Sequence, residues 1–249
     1  MGSTPNSADV QVEPITDAKD LSQAFYVSSE AFGRQINDAI WVSLNPDWKT
    51  PKGQEYGTSR LVRAWNKINK DREGNPNTVY LKATLPVTSE DGQTERRIVG
   101  FAIWNQLSVV PGYGEVPSPE LGDAVDILDP TEARFASQMF RSLWKRRIEY
   151  VNEKATSDPP AIFTLGLCTV DPAFQKRGIA SKLVQWGLDE AKRRHGGLEC
   201  TTEASRMGRS VYQRLGFKAE GDEDIVFEVD EEFKSRDKPP NLFLRTGIA

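Results

Sequence analysis

The chain has 249 residues, 27% of them charged and 38% apolar, with 36 acidic against 32 basic side chains and a formal charge of −4. That length suits one domain carrying a sizeable insertion, and the composition is that of a chain able to bury a core. The acidic balance argues against a nucleic-acid binder, and no apolar run approaches the roughly 18 residues of a membrane span.

Residues 1–9 are mostly small and polar and read as a loose tail, leaving 10–249 as a single domain. Val10 to Val12 reads as a short strand. Asp17 to Gly33 carries Leu21, Phe25, Ser28 and Phe32 at helical spacing. Asn37 to Tyr56, with Trp41, Trp48, Pro46 and Pro51, reads as an irregular aromatic loop. Ser59 to Lys70 predicts a second helix. Thr78 to Val87 and Arg97 to Leu107 predict two strands, joined as a hairpin through Ser89-Glu90-Asp91-Gly92. A Gly- and Pro-rich loop from Val110 to Pro130 leads into a long amphipathic helix, Thr131 to Lys154; residues 110–158 thus form a loop-helix insertion. The polar face of that helix bears Arg141, Lys145, Arg146 and Arg147 and reads as a solvated face. Strand Ala161 to Val170, helix Gly178 to Arg194, strand Leu198 to Glu203 and helix Arg206 to Leu215 then make a βαβα run. Ile225 to Phe233 and Leu242 to Arg245 predict two last strands. The fold class is α/β, a mixed sheet flanked by helices.

Two cysteines, Cys168 and Cys200, cannot make a disulfide framework, so a reducing cytoplasmic or nuclear setting is the default. The lone histidine, His195, cannot build a His-Glu-x-x-His or Cys/His metal cluster, so no metal is expected. It follows Lys192, Arg193 and Arg194 and reads as a basic residue where a glycine ends a helix.

The run that carries chemistry is Leu165-Gly166-Leu167-Cys168-Thr169-Val170-Asp171-Pro172-Ala173-Phe174-Gln175-Lys176-Arg177-Gly178-Ile179-Ala180-Ser181. A strand ends at Asp171-Pro172, a turn crosses, and a helix opens at Gly178. Successive amides from Lys176 to Ala180 can point outward at a positive helix end, a cradle for a phosphate or pyrophosphate. Gly178 keeps a side chain out of that approach. Gln175, Lys176 and Arg177 add donors and positive charge.

Here the chain resembles the GNAT superfamily of N-acetyltransferases. The signature Gln/Arg-x-x-Gly-x-Gly/Ala is matched by Gln175, Gly178 and Ala180. The strand end before it is matched by Thr169-Val170-Asp171-Pro172, and a later Tyr-x-x-x-Gly-Phe element by Tyr212 to Phe217. The strong resemblance covers about Ala161 to Glu220. Glu203-Ala204-Ser205 is similar to the fungal branch of small-molecule acetyltransferases. The resemblance implies a mostly antiparallel sheet splayed by a V-shaped notch, and acetyl-CoA as cosubstrate with no metal. The pantetheine arm would bond to Leu167, Cys168, Thr169 and Val170, and the pyrophosphate would sit on Lys176 to Ser181, with Ile179 inside that turn. Ser205 would stand where many relatives place an asparagine, and Gly208 replaces a common alanine. Tyr212 is the candidate acid for the leaving thiolate, and Glu203 the candidate base for the amine. Cys168 reads as a strand residue rather than a nucleophile.

The expected acceptor is a small-molecule primary amine; Trp41 and Trp48, with Glu30, Trp104 and Tyr113, either line its pocket or merely close the core, and the protein is expected as a monomer or homodimer bound to neither nucleic acid nor membrane. Acetylation of a protein N-terminus or lysine, or a silent CoA-binding module, are the alternatives.

Overall fold

The computed structural model describes residues 9–88 and 91–247; the expected tail up to residue 8 and the Ser89-Glu90 half of the expected hairpin turn lie outside them. Seven strands form one sheet: β1 (Gln11–Pro14), β2 (Thr78–Thr88), β3 (Thr94–Leu107), β4 (Ile162–Val170), β5 (Glu199–Ser205), β6 (Lys218–Ala219) and β7 (Asn241–Arg245). Their order is β1-β2-β3-β4-β5-β7-β6. All neighbours are antiparallel except β4 and β5. Such a parallel pair needs a crossover, and α5 (Ile179–Arg193) supplies it. The other helices are α1 (Asp20–Ser28), α2 (Ala39–Ser43), α3 (Pro51–Asn66), α4 (Pro130–Glu153) and α6 (Arg209–Arg214).

Both faces of β2 are buried, which explains its near-continuous apolar run. Val79, Leu81, Ala83 and Leu85 point towards Ile179, Leu183, Val184 and Leu188 of α5. Tyr80, on the other face, packs with Phe101 and with Leu21 and Ala24 of α1. Among the described residues no helix is long and apolar enough to cross a membrane.

The structure corrects four sequence expectations. The stretch Asn37–Tyr56 is not irregular throughout. Asp38 caps α2 by accepting from the Trp41 amide at 2.9 Å, and Thr50 caps α3 with Pro51 in its first turn. Thr-Pro is a helix-start signal that the surrounding tryptophans obscured. Helix α1 does not stop at Gly33 but passes into a π-helical stretch, Ser29–Gln35.

Ile225–Phe233 is no sheet strand. Its alternation is real, with Ile225, Phe227 and Val229 packed on the cluster around Phe140 and Leu143 of α4. The Ile225 amide donates to the Asn241 carbonyl at the start of β7, at 2.7 Å, but the pairing goes no further and helix side chains meet the later backbone. The Glu228 amide donates to Ser142 Oγ at 2.9 Å, and the Asp230 amide donates to Gln138 Oε1 at 2.9 Å. This extended strap also pairs with the solvated face of α4, through Lys145–Glu228 at 3.0 Å and Arg134–Asp230 at 3.3 Å; Arg134 pairs with Glu232 as well.

His195 is not a solvated helix end. A left-handed backbone (φ 48°) turns its ring inward. Nε2 lies 2.9 Å from Asp71 Oδ2, and Nδ1 lies 3.3 Å from Glu73 Oε1. Burial alone would raise the Asp71 carboxyl. The Asn75 side chain and amide, then His195 and Gln106, overcome that and hold it down to about 2. A carboxyl depressed in the folded state stabilises the fold above its unfolded pKa, roughly 4, and the contribution is lost as pH falls. Asp71→Asn should therefore melt below wild type at pH 7, and the gap in Tm should close between pH 4 and 2. A gap that stays constant over that range would remove the titration of Asp71 from the account.

Candidate active site

Strands β4 and β5 pair only from Ile162–Glu199 to Leu165–Thr202, although β4 runs to Val170 and β5 to Ser205. Beyond Leu165 the two strands part, while β5 stays paired with β7 on its other edge as far as Ser205–Asn241. A bulge marks the parting point, for Ile103 pairs with Leu167 and Trp104 with Leu165, leaving Gly166 as the extra residue. The edge of β4 over residues 166–170 that faces β5 thus has no strand partner. Its backbone donors and acceptors need another one.

Two cavities open on that notch. One, of about 530 Å³, is lined by Thr169, Val170, Gln175, Lys176, Gly178, Ile179, Ala180 and Ser181, with Gln35 and Met207 opposite. The other, of about 460 Å³, is walled by α1, α2, α3, α4 and the strands, and Phe25, Trp41, Tyr80, Phe101 and Trp144 give it an aromatic lining. Phe32, Cys168, Ser205 and Tyr212 line both, so the cavities meet at these side chains.

The first cavity fits a phosphate-bearing ligand. Lys176 (φ 62°) and Gly178 (φ 74°) are both left-handed, a backbone shape that gathers successive N–H groups. Gly178 is the N-cap of α5 and no side chain caps that end. The first-turn amides, including Ile179, Ala180 and Ser181, therefore keep their donors at the positive end of the helix dipole. A Cβ at Gly178 would meet nothing within 4 Å, so the glycine is needed for its backbone angle. Gln175 exchanges hydrogen bonds with Gln35, at 2.8 and 3.1 Å, across the rim of this cavity.

Most of the residues named from sequence for the cofactor come together here, with two exceptions of place. Leu167 lines the second cavity, and Arg177 lines neither, its guanidinium lying 5.5 Å from the Phe174 ring centroid. Of the expected acceptor side chains, only Trp41 lines the second cavity. Trp48 packs behind it, Trp104 stacks on Phe163 in the core, Tyr113 covers His195, and Glu30 pairs with Arg34.

Tyr212, on α6, is buried between the cavities, and its hydroxyl bonds to no described residue. Burial, and then the neighbouring Cys168, push its phenol well above the usual value, so it stays a proton donor at neutral pH. A Cβ on Gly208 would stand 2.6 Å from Tyr212 Cε2 and 2.9 Å from its oxygen. Glycine in place of the commoner alanine is thus what lets this ring lie where it does. Burial pushes the Cys168 thiol up to about 12, which disarms it as a nucleophile.

Two carboxylates line the second cavity. Glu203 is held at two points by Arg147, Nε donating to Oε1 at 3.0 Å and Nη2 to Oε2. Asp38, which sequence reasoning missed, pairs with no cation among the described residues, and burial raises its carboxyl. Its only signal was the Asn-Asp step before Ala39, a helix cap inside an apparent loop.

The sequence model of the acetyltransferase (GNAT) domain matches residues 150–228. No curated protein matches the chain. Among solved structures it is similar to arylalkylamine N-acetyltransferase 2 from Aedes aegypti, 19% identical over 95% of this chain and 98% of that one, with a TM-score of 0.60. It is also similar to the mosquito arylalkylamine N-acetyltransferase-like 5b, 12% identical over 95% and 97%, at 0.57. Polyamine N-acetyltransferase from Drosophila melanogaster, which forms N-acetylagmatine, is 12% identical over 95% and 97%, also at 0.57. The fold is that of the GNAT acyltransferases. Fold and matched segment together support an acyltransferase enzyme.

Proposed function

We propose that the protein is an acetyl-CoA-dependent N-acetyltransferase that moves the acetyl group directly to the primary amine of a small molecule with an apolar or aromatic body. The observation that carries this reading is the meeting of a phosphate-fitted cavity and an aromatic cavity at Tyr212, under an unpaired strand edge. Acetyl-CoA supplies the activated acyl thioester. Leu167 to Val170 offer their backbone to the pantetheine arm, and an amide near Leu167 or Cys168 polarises the thioester carbonyl. Lys176 to Ser181 hold the pyrophosphate, with Gln175 and Ser205 beside the path. Tyr212 gives its proton to the departing thiolate. A small acceptor is favoured over a peptide because Phe140, Leu143, Trp144 and Arg147 of α4 wall the aromatic cavity on a side where a peptide groove would be open.

CoA thiol release from acetyl-CoA, measured across small amines and peptides, tests the reading. Arylalkyl and alkyl amines should turn over; faster release with peptides, or none with any amine, would overturn it.

The amine must lose a proton before it attacks, and both cavity carboxylates can take it. Glu203 is the base that the family resemblance suggests, but Arg147 occupies both its oxygens. Asp38 instead accepts only from backbone amides of its own helix cap and pairs with no cation among the described residues. Asp38→Asn keeps the helix cap and should leave CoA affinity intact while moving the rate profile to higher pH, where more amine is already neutral. If Glu203→Gln moves the profile and Asp38→Asn does not, the base is Glu203.

A further inference from the structure

The pair between Arg147 and Glu203 is only partly accounted for by its own hydrogen bonds. Arg147 side-chain exposure is 9% and that of Glu203 is 3%, so the pair is almost dry. Nε and Nη2 serve Glu203, while Nη1 bonds to no described residue. The side chain lines the aromatic cavity, with its guanidinium carbon 5.8 Å from the centroid of Trp144, another lining ring. A guanidinium has its donors in a rigid fork, so fixing two nitrogens on Glu203 fixes the direction of the third.

We propose that Arg147 reads the acceptor: its Nη1 edge donates to a neutral oxygen, a carbonyl, ether or hydroxyl, carried by the amine's apolar body. This rests on the reading of the aromatic cavity as the acceptor site. The oxygen is neutral because Glu203 already balances Arg147 at bonding distance. A carboxylate would add an unbalanced negative charge beside Glu203 in a poorly hydrated site. A bare hydrocarbon would leave two buried N–H groups without an acceptor once it displaced water from the cavity. The bland role, a rivet between α4 and β5, requires the two bonds to Glu203 but gives no reason for an unpartnered Nη1 on a side chain that lines a cavity.

The test is calorimetric binding of four probes to the CoA-saturated protein: 2-phenylethylamine, 4-methoxyphenylethylamine, phenylalaninamide and phenylalanine. The methoxy and amide probes separate a ring ether from a carbonyl near the amine. One of them should bind roughly tenfold tighter than 2-phenylethylamine, and phenylalanine should bind no better than it. In Arg147→Met/Glu203→Leu, which removes both charges together, that advantage should vanish while CoA affinity and Tm persist. A rivet would lower stability or weaken all probes alike and leave the ratio unchanged. Should the double variant fail to fold, Arg147→Lys keeps the charge, lacks the fork, and should still erase the advantage. Equal binding of the probes by wild type, tightest binding by phenylalanine, binding of none, or a preference that survives in a folded variant would each overturn the proposal. If the preference holds and no amine is acetylated, the acetyltransferase reading falls and the assignment of Arg147 stands.

Discussion

Replacing Tyr212 by phenylalanine should lower the single-turnover rate of acetyl transfer by roughly 10²–10⁴-fold, the range for loss of a general acid. The substitution removes one oxygen and keeps the ring against Phe217, whose centroid lies 6.0 Å away. The hydroxyl bonds to no described residue, so its removal breaks no internal hydrogen bond, and Tm and acetyl-CoA affinity should change little. Steady-state turnover is a poorer measure, because slow product release would hide the chemical step. A folded Tyr212→Phe protein with the wild-type single-turnover rate would mean that water protonates the thiolate. Tyr212 would then be a packing residue at the junction, and catalysis would come from positioning alone.

Gly178→Glu should weaken acetyl-CoA binding severely, on the order of 100-fold or more, by removing several charge-assisted contacts at once. Two effects act together. The backbone at φ 74° suits glycine and strains other residues. The new carboxylate also sits at the uncapped start of α5, where the helix dipole favours it, and so competes for the amides that a phosphate would use. Gly178→Ala carries the strain without the charge and should fall between wild type and Gly178→Glu. A calorimetric titration showing unchanged affinity in folded Gly178→Glu would remove the phosphate assignment.

The turn proposed here for the cofactor was legible because it is local in sequence. Gln175 to Ser181 form one turn and one helix start, and a left-handed glycine before an uncapped helix leaves a mark within seven letters. Tyr212 was legible through its fixed spacing to Gly216 and Phe217. The acceptor half was not. Its wall draws on Asp38, Tyr80, Phe101, Trp144 and Glu203, which only the tertiary fold brings together. Arg147 was hidden among Arg141, Lys145 and Arg146. Arg146 turns outward to Glu153 and Glu220, whereas Arg147, one step of about 100° around the helix, turns inward to Glu203. The strap was misread because alternation reports an extended chain with one buried face. It does not say whether a sheet or a helix covers that face.

The position of β7 bears on the order in which the protein can assemble. Every side chain lining the phosphate-fitted cavity lies at or before Arg214 in the chain. Strand β7, residues 241–245, nevertheless inserts between β5 and β6, which are both made earlier. On a nascent chain, β5 is therefore an open edge and β6 has no strand to join until the last part of the domain emerges. The strap that braces α4 comes late as well. A chain halted before Asn241 would carry every residue that lines the phosphate-fitted cavity beside an unprotected β edge. Such a fragment is a candidate for aggregation or chaperone capture rather than a half-active enzyme.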